Sequence, residues 1–229
     1  MLQRAAYPLL YMTEIRYDFG PGVIAYSALS APEGAVLPRQ THTCHVETVE
    51  SGREDYPDTD ALICTDAGTV IGVRTADCVP ILLHAPDIGT VAAVHAGWKG
   101  TLGGIVGLTI EKLVAMGADP KLMKAAIGPC ICPGCYEVDP EMGAWFEEAG
   151  FGKCVDRSLG PRPHLDLAHV NIMRMLEKGI PAAQISDAPE CTKCSGSWPS
   201  WRRNPGESQR LFTLISLRRP DNNKDNSSV

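Results

Sequence analysis

Four short apolar runs between residues 61 and 94 constrain this chain most. They cover residues 61–64, 69–73, 79–83 and 91–94, and Gly, Asp and Pro separate them. Each has the length of a strand, and each is continuously apolar rather than alternating, the pattern of strands buried on both faces. Their close succession predicts adjacent strands. A further strand is predicted over 22–26, entered through the Pro21-Gly22 turn, and a last one over 211–217. The polar stretch 51–60, with Ser51, Gly52, Asp55, Pro57 and Asp58, reads as a loop.

Helices are expected in the second half. Leu102, Val106, Ile110, Leu113 and Val114 recur at helical spacing, which predicts a helix over 102–116 with Gly117 at its C′ position. A second begins after Asp139, a potential cap, with Pro140 at the first helical position and Gly150 beyond its end. A third covers 166–178, with Val170, Met173 and Leu176 inward and Gly179 as its stop. Strands and helices together predict an α+β fold: one compact domain over residues 1–217, with mixed β-sheets flanked by helices in an α/β/β/α layering. The polar residues 218–229 read as a disordered tail.

Composition narrows the class. With 229 residues, 44% of them hydrophobic and 21% charged, the chain has material for a sizeable core. Twenty-one Lys and Arg against 27 Asp and Glu give a net charge of −6, which disfavours a general nucleic-acid binder. No run approaches the roughly 20 apolar residues of a membrane span. The short apolar piece at residues 5–12 lacks a clear signal-peptide core and cleavage site. Nine cysteines without an export signal point to metal binding or catalysis rather than a disulfide framework, and to the cytoplasm.

Three groups carry candidate chemistry: Gln40-Thr-His42, Arg74-Thr-Ala-Asp77-Cys78 and His95-Ala-Gly97-Trp-Lys99-Gly100. His42, Cys78 and His95 would give a nitrogen–sulfur–nitrogen donor set suited to zinc or copper, and three protein ligands leave a tetrahedral ion one open position. Taken singly, each His reads equally as an ordinary polar residue and Cys78 as a small buried hydrophobe. Their spacing alone does not define a site.

Several linked motifs, in order, bear on that choice. They are Gln40-Thr-His42, Thr75-Ala-Asp-Cys-Val-Pro-Ile-Leu82, Ala93-Val-His-Ala-Gly-Trp-Lys-Gly-Thr101, Ile127-Gly-Pro-Cys-Ile131, Cys135-Tyr-Glu-Val138, Leu165-Asp-Leu167, Cys191-Thr-Lys-Cys194 and Ser200-Trp-Arg-Arg203. Over about residues 40–217 the chain resembles the laccase-like family first labelled multicopper polyphenol oxidoreductases, whose members are described as purine nucleoside phosphorylases with adenosine deaminase activity. The resemblance implies His42, Cys78 and His95 as metal ligands. It also implies purine nucleosides and phosphate as substrates. One departure lies at the front: the family's Thr-Arg-x-Gly-Gly stretch before the Gln-x-His motif is missing, and Ala25-Tyr-Ser-Ala28 leads almost directly to Pro38-Arg-Gln-Thr-His42.

Deamination then requires a metal-activated water at purine C6 and a carboxylate to move the proton, with Asp77 and Glu137 as candidates. Phosphorolysis requires cations for phosphate, with Arg74, Lys99, Arg202 and Arg203 as candidates, and a donor for the departing base. Cys130, in the turn after Gly128-Pro129, is a candidate neighbour of the site.

Other readings compete. Cys132/Cys135 and Cys191/Cys194 form two Cys-x-x-Cys pairs, but the 56 residues from Cys135 to Cys191 exceed a compact zinc ribbon, so the reading goes against a four-cysteine site. Cys132-Pro-Gly-Cys135 as a redox pair lacks the usual thioredoxin surroundings. His45-Val-Glu47 with Cys132 and Cys135 partly mimics a cytidine-type zinc deaminase, although Ile131 replaces the expected Pro. Copper-dependent phenol oxidation and a non-catalytic metal-binding module complete the alternatives. Ordinary laccase chemistry needs several coppers, and the chain has six His.

Overall fold

The computed structural model describes residues 14–187 and 190–219. The apolar piece at 5–12, and the tail from residue 220 onward, lie outside them.

Two sheets face each other. One has strands β1 (Glu14–Arg16), β2 (Val23–Ala28), β5 (Ile71–Thr75) and β12 (Leu211–Leu217) in the order β1-β2-β12-β5, antiparallel throughout. The other is six-stranded and mixed, with β3 (Val46–Thr48), β4 (Ala61–Cys64), β6 (Val79–Ala85), β7 (Thr90–Ala96), β8 (Lys124–Ile127) and β11 (Ile185–Ser186) in the order β11-β8-β6-β7-β4-β3. A small pair, β9 (Val155–Asp156) and β10 (His164–Leu165), stands apart. Helices α1 (Trp98–Gly103), α2 (Ile105–Ala115) and α4 (Leu167–Glu177) pack on the six-stranded sheet. Two shorter helices are α3 (Pro140–Phe146) and α5 (Thr192–Ser195). The fold is α+β, as the sequence predicts. Its named elements supply three of the four expected layers: helices, six-stranded sheet and four-stranded sheet.

Each central strand serves two cores because successive side chains point to opposite faces. Leu62, Leu82, Val91 and Ala93 meet Ile71, Val73 and Ile215 between the sheets. Their neighbours Ile63, Ile81, Leu83, Ala92 and Val94 pack under Ile105, Val106, Ile110 and Leu113 of α2 and Val170 and Met175 of α4. Every residue of β4, β6 and β7 is therefore buried, which accounts for the unbroken apolar runs.

Four local expectations change. Strand β5 leaves its sequence neighbours and pairs with β12, with Gly72 opposite Leu214. A Cβ at Gly72 would lie 2.7 Å from Leu214 Cδ2 and 2.8 Å from the Thr213 carbonyl oxygen, so a side chain would prevent that approach. The chain then crosses back at Asp77, a non-glycine residue at φ 97°, to enter β6. The helix predicted over 102–116 is two helices, because Gly104 at φ 80° ends α1 and starts α2. Leu176 and Val114 face solvent, and Asn171 and Met175 take the inner face of α4. Asp139 precedes α3 without capping it through its side chain, which accepts instead from Arg162 Nη1 at 3.1 Å.

A candidate metal centre at the floor of a cavity

Adjacent strands deliver two of the expected ligands. In the β6–β7 ladder Val79 pairs with Ala96 and Pro80 with His95, so Cys78 and His95 come to the same end of the sheet. The third, His42, lies in a loop and adopts φ 63°, a left-handed backbone that costs a non-glycine residue of order 1–3 kcal/mol. His42 Nε2 is 3.8 Å from Cys78 Sγ, and the rings of His42 and His95 lie 4.8 Å apart, nearly perpendicular. One ligand atom from each of the three residues lies within 4.8 Å of the other two.

Asp60 holds this arrangement together. Its carboxylate is fully buried and accepts from the backbone N–H groups of Thr41 (3.2 Å), His42 (3.1 Å) and Thr43 (2.7 Å) and from the Thr43 hydroxyl (2.7 Å). These bonds offset the strain at His42. The same carboxylate accepts from His95 Nδ1 at 2.6 Å, which fixes the imidazole tautomer and leaves Nε2 as the donor to an ion. Burial opposes ionisation of Asp60, but the His95 and Thr43 hydrogen bonds hold its carboxyl well below the usual range. Burial likewise would lower His95, but Asp60 and Cys78 raise it to about 9. Burial would raise the Cys78 thiol, yet hydrogen bonding and charge from His42 and His95 bring it down to about 6. A thiolate, a tautomer-fixed imidazole and a second imidazole within one ion's reach fit a borderline-soft divalent metal.

Further contacts position the shell. The Gln40 amide brackets β5: its Nε2 donates to the Arg74 carbonyl and its Oε1 accepts from the Arg74 N–H, both at 2.8 Å, which ties the His42 loop to the strand edge. Gly97 leaves room for the ligands, since a Cβ there would lie 2.7 Å from His42 Cδ2 and 3.2 Å from Cys78 Sγ. Buried Asn171 in α4 donates to Thr101 Oγ1 at 3.0 Å and so fixes α1 just after His95.

The three ligands open onto a cavity of about 570 Å³, lined also by Gln40, Arg74, Asp77, Tyr136, Trp201, Arg202 and Arg210. Asp77 is there, but both its oxygens are engaged: Thr192 Oγ1 donates to one and the Arg202 backbone N–H to the other, each at 2.6 Å. Arg202 lies over the Tyr136 ring, and its Nη1 donates to the Glu137 carbonyl at 2.7 Å. Burial pushes the Tyr136 phenol up to about 12.

Other predicted residues fall elsewhere. The Glu137 carboxylate faces Arg162 at 3.9 Å on the exposed side. Lys99 lies over the Trp98 ring, and Arg203 is committed to the carbonyls of Thr192, Lys193 and Trp198. Cys130 is buried, and burial drives its thiol strongly upward, so the turn does not present it to the cavity. The cytidine-type arrangement is not assembled, because His45 pairs with Glu47 (3.3 Å) while Cys132 and Cys135 face Cys191 and Cys194. Those four sulfurs all lie within 4.8 Å of one another, so the long interval between the pairs does not separate them in space.

Sequence reasoning missed Asp60, Tyr136, Trp201 and Arg210. Three of them left a signal: Tyr136 and Trp201 lie inside the motifs Cys135-Tyr-Glu-Val138 and Ser200-Trp-Arg-Arg203, and Asp60 is an acidic residue directly before the fully apolar run 61–64. The turn-rich composition of 51–60 places Asp60 in a polar loop and hides its role.

Fold and site thus define an α+β protein with a three-ligand metal-binding geometry opening onto a cationic, aromatic-walled cavity. Residues 23–218 match the family described as multi-copper polyphenol oxidoreductase laccase, and the chain belongs to that family. It is 39% identical over 176 residues to a purine nucleoside phosphorylase from Deinococcus radiodurans, covering 76% of this chain and 67% of that one. It is 37% identical over 193 residues to adenosine deaminase RL5 from an unknown prokaryotic organism, covering 79% and 74%. The solved structure of YlmD from Geobacillus stearothermophilus superposes with a TM-score of 0.77 at 25% identity, covering 87% of this chain and 93% of that one. No helix among the described residues is long and apolar enough to cross a membrane.

Proposed function

We propose that this chain is a metal-dependent purine nucleoside enzyme, catalysing phosphorolysis of purine nucleosides and deamination of adenosine. The observation that carries this reading is the convergence of His42, Cys78 and His95 at the floor of a cavity that also holds Arg74, Arg202 and Arg210. The names of the relatives, adenosine deaminase and purine nucleoside phosphorylase, support purine nucleosides as the substrate class. The metal is zinc, with copper as a competitor at such ligands. When bound, zinc supplies Lewis acidity that lowers the pKa of water toward neutrality for attack at purine C6.

The chain's own residues do the rest. Tyr136 and Trp201 put aromatic surface into the cavity for a purine, and Arg74, Arg202 and Arg210, each with one guanidinium nitrogen already bonded to a backbone carbonyl, have their remaining N–H groups for phosphate. Tyr136 stays protonated at neutral pH and can donate to the departing base. Asp77 acts mainly by holding Arg202 at the cavity wall. Glu137, Lys99 and Cys130 support the surrounding fold rather than touch substrate.

Zinc-loaded protein should release free base from adenosine or inosine only with phosphate present, and ammonia from adenosine. If neither exceeds a His42→Ala control, the reading fails. The phenol-oxidase alternative is tested in parallel with copper-loaded protein and a phenol. Among the described residues, which include all six His, one cluster of metal-binding geometry contains histidine, against the several coppers of laccase chemistry.

A further inference from the structure

We infer that Cys132, Cys135, Cys191 and Cys194 form a second, structural zinc site, separate from the catalytic centre. Each pair lies on one tight turn: Cys132 and Cys135 flank a 3₁₀ turn at Pro133-Gly134, and Cys191 and Cys194 bracket the first turn of α5. The turns are joined through the backbone next to the first pair, where Cys130 N–H donates to the Glu190 carbonyl (3.3 Å) and Thr192 N–H to the Cys130 carbonyl (3.0 Å). That pairing brings together cysteines far apart in sequence.

The geometry suits one ion rather than two disulfides. All four sulfurs lie within 4.8 Å of one another, not as two isolated pairs, and all four cysteines are free. A tetrahedral zinc with bonds of about 2.3 Å places its sulfurs roughly 3.8 Å apart, so closure needs contractions of about 1 Å or less. Cys191 Sγ already accepts from the N–H groups of Cys132 (3.3 Å) and Cys194 (3.5 Å), which disperses thiolate charge. The Arg203 guanidinium, bound to the carbonyls of Thr192 and Lys193 at 2.7 and 3.0 Å, adds a cation behind the second turn. With four sulfur ligands and no open position, the site is structural.

Its role follows from its attachments. Thr192, inside the second turn, bonds Asp77, and Asp77 holds the backbone of Arg202 at the cavity wall. Tyr136, next to Cys135, lines the same cavity. The zinc therefore staples the two turns that carry this wall.

The test removes the catalytic centre first, so that the two sites are read separately. Full-length Cys78→Ser protein, purified reduced and with zinc, should retain one zinc per chain against two in the wild type. Adding Cys135→Ser and Cys194→Ser should abolish the remaining zinc and increase hydrogen exchange over residues 190–203. Folded Cys78→Ser protein without zinc, or zinc retained after both cysteines are replaced, would overturn the proposal. A disulfide between any two of the four in protein purified without reductant overturns it as well. Should the multiple variant not fold, cobalt(II) added to reduced Cys78→Ser protein stripped of its zinc decides. Sulfur-to-cobalt charge transfer with tetrahedral ligand-field bands is expected, and their absence sinks the site.

Discussion

The buried Asp60 carboxylate meets His95 Nδ1 at 2.6 Å while also gathering the N–H groups of the loop that carries His42. One side chain thus orients two ligands from different elements.

Asp60→Asn should therefore weaken zinc at the His42–Cys78–His95 centre by roughly 10–100-fold, the usual cost of losing a carboxylate behind a ligating histidine. The amide would also turn an NH₂ group toward N–H donors. Competition with a chromogenic chelator, in wild type and variant, measures the change; an unchanged affinity would show that His95 needs no such support.

Cys78 should be a thiolate in metal-free protein. Its pKa is lowered from 9.0 to about 6, so alkylation by iodoacetamide should rise as pH increases through 6 and level off above it. Cys64 and Cys130, whose thiols burial raises, should lag far behind at pH 7. Peptide mapping reads each site separately, and zinc should suppress the Cys78 signal. A midpoint near 9 at Cys78 contradicts the expected histidine effect.

Gly97→Ala probes space alone. Gly97 has an ordinary φ of −70°, so alanine meets no backbone penalty, but its Cβ would press on His42 and Cys78. Occupancy at this centre should fall markedly, measured by metal analysis, while overpacking costs about 1–3 kcal/mol in denaturant unfolding.

Thr192→Val removes the 2.6 Å bond to Asp77 at nearly constant volume. Leaving that buried acceptor unpaired should cost about 1–3 kcal/mol. Asp77 then keeps its bond to the Arg202 N–H but loses its own support, so Arg202 is held less firmly and KM for nucleoside should rise more than kcat falls. Steady-state kinetics beside an unfolding curve separates the two effects.

Local pattern determined much of this protein. The strands Ala61–Cys64 and Leu211–Leu217 are legible to the residue, because a short, largely apolar run between polar or charged residues (Asp60 and Thr65, Arg210 and Arg218) specifies extended, buried backbone. Proline at the start of α3 and the glycines after α2 and α4 marked helix ends through their own dihedral limits. His42, Cys78 and His95 were nominated by linked motifs. Only the tertiary structure decided that β5 joins the other sheet, that Asp60 is a buried support rather than a loop residue, and that Cys132/Cys135 face Cys191/Cys194. Periodicity fixes which face a residue presents, but the partner on that face comes from a distant segment, and strand pairing sets the distance between them.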